Sequence, residues 1–578
     1  MFHRIISTRE FALADLLLVV LSACLWLLTQ IPTLIGIALI PWMIRWSAGS
    51  FRSRRTSLDW FVWLFLGTAW LGYWASYNQE AAWSKVWLIF LAVLLYYALA
   101  GQPSENFAWV CIFFFCVGVG TSMYFFLTLA VASQLLLPPI HQNYAAGIAA
   151  ITTPFILYPI RQPTTKKYSV FLRVFAFLGS GVALLAILAA TSRGIVMAVV
   201  SVCGAWIIWQ IVDRNRRWPG FQNTAAFPLL ILLYLCAIVL FLYVGPANLG
   251  YISTDYPYGT GSRAELVARS IYLVLDFPFT GGGLGAFPGL YSNYLLGIPF
   301  FNVPNSHNLF LDVAIEQGVL GGLSYLIMFL MSIWFAAKNV AEAYSSRTLL
   351  VGWLTLGALI LAFVHGMVDD YLYNGSGSFL ALALAGISVA IQPKRAPRSL
   401  QPRNYLIPGS VVLALVLFVA LNINGLRARW YANLGAIQMA KVELKGFPTN
   451  QWTEPSILPE LEQADATLRS ALSVDQGNYT ANHRLGLLSM LRGDFSSAVT
   501  FLETAHAEAP NHRGITKSLG YSYVWLGNTE KALLLLSQIP EAKEELEIYV
   551  WWLREHGRPD LAEKATQFIS SLDLLSVQ

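Results

Sequence analysis

The sequence predicts an all-α protein in two parts: a polytopic transmembrane helix bundle of about twelve to thirteen spans, then a short α-solenoid. Three observations predict it. Hydrophobic residues make up 56% of the 578 residues and charged ones only 12%, against roughly 25% charged in a soluble domain. Through residues 1–423 the apolar residues come in runs of about 20, the length that crosses a bilayer as a helix. Residues 426–578 are polar instead and repeat at about 34 residues, the tetratricopeptide period.

The runs centre near Val20, Ile37, Leu66, Leu91, Val119, Ile151, Leu178, Met197, Leu235, Leu323, Leu356, Ala383 and Leu415. Trp and Tyr crowd many of their ends, as interfacial rings do. Basic residues set the orientation. Arg4 and Arg9, Arg52 to Arg55, Arg161 with Lys166 and Lys167, Arg214 to Arg217, Lys338 with Arg347, and Lys394 to Arg403 all fall on one side if the spans alternate. That side is cytoplasmic by the positive-inside rule. The N-terminus is then cytoplasmic, while the loop 245–306 and the polar tail face outward. The net charge of +5 is small for this length, and no nucleic-acid partner is expected. Nothing at the N-terminus reads as a cleavable signal peptide. All five cysteines (Cys24, Cys111, Cys116, Cys203, Cys236) lie in apolar runs, as small buried side chains do, and support neither a disulfide framework nor a Cys/His metal site.

In the tail, one repeat unit starts at Tyr479 with Leu485-Gly486, Ala498, Leu502, Ala505 and Pro510. The next keeps phase with Leu519-Gly520, Tyr523, Gly527 and Ala532. Ala464, Leu468 and Ala471 fit the second half of an earlier unit, and Gly557 with Ala562 a degenerate later one. Such solenoids present binding surfaces rather than chemistry, so the tail is expected to bear on a protein partner, acceptor choice or assembly.

The residues able to do chemistry gather at outward helix ends. Arg193, in Thr191-Ser192-Arg193-Gly194, breaks the positive-inside pattern. It either snorkels at a helix end or answers a local anion. A short helix is expected over Ser262–Leu275, within which Glu265 precedes Arg269 by four residues, the favourable order for an ion pair. Arg269 is thus expected to be structural. Arg263 has no such local partner, and a cation at a helix start is disfavoured by the dipole, which makes it the better anion-binding candidate. The glycine cluster Gly281–Gly285 would serve either to cradle a phosphate with backbone amides or to form a turn after Pro278.

His307 precedes the tenth span, where the positive end of the helix dipole favours an uncharged imidazole. A neutral histidine there would accept a proton from a hydroxyl. Asn308, Asp312 and Glu316 recur every four residues as a polar stripe, and carboxylates among apolar residues tend to face a cavity or a partner. Arg193 or Arg263 is the partner expected from sequence. Asn143 in His141-Gln142-Asn143, and His365 with Asp369 and Asp370, either line the same cavity or end helices. No Asp/His cluster shows metal-ligand spacing, and no cofactor is implied.

These pieces resemble the O-antigen ligase and polymerase superfamily of bacterial membrane glycosyltransferases. The resemblance is carried by Ser192-Arg193-Gly194, Ser262-Arg263, Asp276-Phe277-Pro278, Gly281-Gly282-Gly283-Leu284-Gly285 and, most specifically, Ser306-His307-Asn308-Leu309 followed by Glu316-Gln317-Gly318. It covers about Tyr144 to Gly386, and the spacing of the motifs is more informative than any one of them. It implies a GT-C-like bundle in the bacterial cytoplasmic membrane. It also implies transfer of a glycan from undecaprenyl diphosphate to a saccharide, lipid or protein acceptor on the outer face, without nucleotide sugar or metal. Carried over, Arg193 and Arg263 would hold the lipid diphosphate, and His307 would act as base on, or position, the acceptor hydroxyl as it attacks the anomeric carbon with inversion. Asn308, Asp312, Glu316 and Asn143 would bind substrate. The outward solenoid resembles protein O-oligosaccharyltransferases or polymerase-type members more than ligases acting on lipid A core. A transporter or flippase with an outward scaffold is the alternative. Its helices would carry charge near the midplane, whereas here the polar residues cluster at outward ends.

Overall fold

The computed structural model of the chain describes residues 9–29, 31–47, 55–131, 140–161, 166–214, 225–244, 263–296, 303–343, 345–374, 377–392, 420–448 and 455–576. These residues are helical with no strand among them. A helix covers every expected span centre from Val20 to Ala383; the centre at Leu415 lies outside the described residues. Among the described residues, 7 helices are long and apolar enough to cross a membrane, and Thr33–Ser47 and Ser378–Ala390 are shorter apolar helices. The expected sixth span is built differently from the others. It is a short helix, Gln142–Thr152, continued by the single turns Thr153–Ile156 and Leu157–Ile160. Pro154 and Pro159 lie in those turns, and the proline ring does not fit a helix interior.

The bundle has a protein-facing core and a lipid-facing rim. Helices Ser378–Ala390 and Gln79–Ala100 pack along one another, and Leu309–Ala341 lies between Asp59–Ala75 and Ser346–Gly366. The Lys166–Ala189 helix instead exposes Phe171, Phe177, Leu178 and Leu185, side chains that suit a hydrocarbon surround.

The expected tenth span is two helices. Gly318 breaks Leu309–Ala341 with φ 76° and ψ 176°. A Cβ on Gly318 would lie 2.7 Å from the Phe279 carbonyl oxygen, so only glycine fits both the angle and the space. The polar stripe therefore rides on the short helix before the break, and the apolar span follows it.

In the tail, helices pair as Ile423–Glu443 with Glu462–Val474, Tyr479–Leu491 with Phe495–Glu508, and Ala542–Glu555 with Pro559–Ser576. Arg513–Leu526 pairs likewise with Thr529–Leu536. One contact recurs. A Cβ on Gly435, Gly486 or Gly520 would come within 2.6, 2.6 or 2.5 Å of Leu468, Leu502 or Leu536 respectively. Each first helix thus meets its partner through a glycine seated on a leucine. Ile423–Glu443 supplies the first half of the earliest unit, which the sequence pattern had not resolved. The solenoid does not stand apart from residues 263–296. Leu273, Phe277, Tyr291 and Tyr294 of residues 263–296 share one buried cluster with Ala432, Ala436, Leu468 and Leu485.

Candidate functional site

The turn that carries His307 is held from both ends. Asn308 caps the short helix, its Oδ1 accepting from the backbone N–H of Phe310 (3.0 Å) and Leu311 (2.9 Å), while its Nδ2 donates to the Tyr243 hydroxyl at 2.8 Å. Asp312 reaches back from the first turn, its Oδ1 accepting the Ser306 N–H at 2.9 Å. The His307 N–H donates to Asn305 Oδ1 at 3.0 Å. Between these fixed points His307 is half-buried at φ 54°. Non-glycine residues rarely adopt positive φ, and the cost is borne only where surrounding bonds impose it. Asn308 and Asp312 thus shape the turn as well as line it.

Among the described residues, the only other non-glycine with positive φ is Thr191, at 47°. A β-branched residue there is a stronger outlier than histidine. It precedes the Arg193–Arg214 helix by two residues, so both strained turns fall within motifs singled out by sequence. They converge. A Cβ on Gly194 would lie 2.9 Å from the His365 ring, and one on Gly147 would lie 3.0 Å from His365 Nδ1 and 2.9 Å from Tyr371. Arg193 is exposed beside this contact. Asn143 is half-buried in the first turn of Gln142–Thr152; its neighbour Tyr144 donates to Asp370 at 2.6 Å.

The partner of Glu316 is Lys85, at 2.6 Å, a residue that the sequence pattern had not singled out. Lys85 also donates to Asn374 Oδ1 and lies 3.8 Å over the Tyr373 ring. Gln317, next to Glu316, donates to the Tyr373 hydroxyl at 2.9 Å and accepts from Thr68 at 2.9 Å. Asp369 accepts the Asp370 N–H at 2.8 Å. The cluster is acid-rich, with Asp312, Glu316, Asp369 and Asp370 all buried. Burial, and then the neighbouring Asp369, pushes the Asp370 carboxyl above its usual range. Sequence reasoning missed Lys85, Tyr144, Tyr243 and Tyr373. For Lys85 a signal existed: it is a cation near the end of an apolar helix, the same kind of exception that marked Arg193.

The glycine cluster is not an anion cradle. The N–H of Gly281, Gly282 and Leu284 donate to the carbonyls of Phe277 (3.1 Å), Ile315 (2.7 Å) and Gly72 (2.9 Å), which leaves these amides unavailable to a phosphate. Gly283, at φ 113°, passes so close to Ser76 that a Cβ would lie 2.3 Å from its Cα. The segment is a strap laid across Glu316 and the end of Asp59–Ala75. Val319 N–H closes it onto Pro278 O at 2.9 Å. Asp276, at its start, is buried and accepts from Arg484 at 2.9 Å and from Thr480 at 2.7 Å.

Arg263 opens the Arg263–Asp276 helix, and its side chain lies outside the described residues, as does the loop 245–262. Arg269 pairs with Glu265, as the four-residue spacing predicts. Among the described residues no group of three or more His, Cys, Asp or Glu is placed to hold a metal ion.

Residues 178–326 match the O-antigen ligase family model, and residues 489–554 match a tetratricopeptide repeat model. No curated protein matches the chain. The first match runs from before the Arg193 turn to beyond the Gly318 break. It gives the membrane region a glycosyltransferase-type role in polysaccharide assembly, and the second gives the tail a fold that serves protein interaction.

Proposed function

We propose that this protein, a multi-pass membrane protein carrying the O-antigen ligase signature, transfers a glycan from a polyprenyl-diphosphate carrier to an acceptor hydroxyl at the outer face of the bacterial cytoplasmic membrane. One observation carries the reading: the two strained turns within the matched segment, at Thr191 and His307, both abut residues 365–368, just ahead of the buried Asp369 and Asp370. Strain of this kind is retained where geometry serves a site.

In the proposed reaction the acceptor oxygen attacks the anomeric carbon from the face opposite the diphosphate. The new C–O bond forms as the bond to the phosphate oxygen breaks, the electron pair leaves with the diphosphate, and His307 takes the acceptor proton. Arg193 and Arg263 hold the diphosphate and offset the charge that develops on it. Arginine suits this role because its fork binds phosphate oxygens bidentately and keeps its charge away from water. A diphosphate is already a competent leaving group, so placement and charge neutralisation are the main requirements. No metal is needed for that step. Lys85, by holding Glu316, fixes the helix that presents His307, and Asn143 lies where a sugar would enter beside Tyr144.

The test is transfer by purified protein in nanodiscs, from undecaprenyl-diphosphate oligosaccharide to saccharide and peptide acceptors offered in parallel, with and without chelator. Arg193→Ala and His307→Ala are each expected to lower transfer at least about 100-fold, as loss of an acid–base or charge-stabilising group does, with membrane abundance unchanged. Undiminished transfer by either variant overturns the assignment, and inhibition by chelator overturns the metal-free step.

A further inference from the structure

The solenoid holds a cavity of about 530 Å³ that none of the membrane-site residues line, within the range of small-ligand sites. One wall is aromatic. Tyr549 stands edge-on to Trp525 at 5.7 Å, and Trp552 is stacked on His556 at 4.1 Å. At the opposite end the Glu443 carboxyl accepts from the Tyr294 hydroxyl (2.9 Å) and Asn293 Nδ2 (3.1 Å). Burial raises that carboxyl to about 7, so near neutral pH it both donates and accepts. Asn293 and Tyr294 belong to the outward segment 263–296, whose strap lies against Glu316. The cavity therefore opens off the same structure that borders the membrane site.

The cations on this cavity are already matched. Lys517 is held by Glu541 and Glu545, Arg492 by Asp465 and Arg558 by Asp560. A clamp for a peptide carboxylate or an acidic peptide needs cations with charge to spare, and these have carboxylate partners. What the cavity offers is ring faces at one end and uncharged hydrogen-bonding groups at the other. A pyranose is built to that description, with a C–H patch on one face and hydroxyls around its edge.

We propose that this groove is a second saccharide site, holding an uncharged oligosaccharide segment with sugar rings on Trp552 and Tyr549 and hydroxyls at Asn293 and Glu443. It goes beyond the transfer reaction and rests on that reading only in supposing that the protein handles a glycan. The site would hold part of the chain clear of the membrane while its reducing end lies beside His307.

The experiment is photo-crosslinking with full-length protein in cells that make the glycan. Trp552→p-benzoylphenylalanine and, at the rim, Arg558→p-benzoylphenylalanine are compared with Trp551→p-benzoylphenylalanine. Trp551 is 59% exposed and does not line the cavity. A carbohydrate-positive adduct at 552 or 558 and none at 551 is expected. A protein adduct, equal adducts at all three positions, or no adduct at 552 and 558 overturns the site. The outcome is separable from the transfer reading: normal surface glycan in His307→Ala cells together with an adduct at 552 would leave the groove standing and remove the membrane site.

Discussion

Two buried ion pairs, Lys85–Glu316 in the bundle and Arg484–Asp276 between solenoid and strap, use the same chemistry to different ends. Arg484 and Asp276 are each 0% exposed. Thr480 fills a further lone pair of the aspartate, and the guanidinium lies 3.3 Å over the Tyr294 ring. Opposite charge meets opposite charge there, and the surroundings are closed. At Lys85 one ammonium faces Glu316 with Asp312, Asp369 and Asp370 buried nearby, and burial and the neighbouring Asp369 raise Asp370 against the opposing pull of its bonds to Asn374 and Tyr144 and of Lys85. A cluster this rich in carboxylates is poised for something that brings charge or takes a proton. A balanced one fixes a shape. Buried pairs often add little net stability, yet removing one partner is severe, so the two should fail differently.

The largest effect is expected at Arg484. Arg484→Met leaves Asp276 buried without its counter-charge, which costs about 3–5 kcal/mol and should lower the thermal midpoint of the purified protein sharply. Arg484→Met combined with Asp276→Leu removes both charges and is expected to recover most of that loss. If the double variant unfolds as early as the single one, the pair is not what joins solenoid to strap. At Lys85 the loss should appear in turnover. Lys85→Met is expected to cut transfer at least about 100-fold, the scale of removing a preorganised charge, with a smaller drop in midpoint than Arg484→Met. A midpoint drop as large as that of Arg484→Met would erase the distinction between the two pairs.

This contrast also marks how far the sequence could be read. Fold class was legible because it depends on periodicity: apolar runs of bilayer length and the glycine-on-leucine contact repeated at Gly486 and Gly520. Motif spacing likewise carried the match over 178–326. Which charge meets which was not legible, because pairing is decided across the chain. Glu316 had two arginines as expected partners and found Lys85, from a helix far earlier in sequence. The glycine cluster was open to two meanings because a cradle and a strap use the same residue type. Only the positions of Ile315, Gly72 and Ser76 separate them. The solenoid was expected to act on acceptor choice or assembly, and nothing in its repeats foretold that Arg484 would grip the aspartate of the Asp276-Phe277-Pro278 motif.

The strap offers a test of intermediate size. Gly318→Ala places a side chain at φ 76° with the Phe279 carbonyl oxygen 2.7 Å from its Cβ. The angle alone costs about 1–3 kcal/mol, and the backbone contact has no flexible side chain to yield. Because the residue joins the His307 helix to its span, transfer should fall further than the stability change explains. Gly36→Ala, where a Cβ meets nothing within 4 Å, is the control expected to leave both unchanged. Equal effects from the two would mean the break is not needed to place His307.

The smallest effect concerns pH, and two groups of the solenoid–strap contact act with opposite sign. His512 packs 4.5 Å from Tyr272 of the outward segment. Burial holds it down to about 4, with Asp276 opposing and Arg484 assisting. A histidine whose folded pKa lies below its unfolded value binds fewer protons when folded. Stability at the solenoid–strap contact is therefore complete above about 6.5 and falls as pH drops toward 4. Between pH 6.5 and 5.5 the loss is about 1 kcal/mol. Glu443, raised to about 7 by burial, acts in the other direction: its protonated form favours the fold, and that contribution fades as pH rises from about 4.5 through 7. His512→Asn should flatten the acid side of the stability profile, and Glu443→Gln the neutral side. Midpoints measured from pH 5 to 8 decide the matter. If His512→Asn leaves the acid limb unchanged, the contact is not the part of the molecule that yields to acid, and the closed, charge-balanced character assigned to it is wrong.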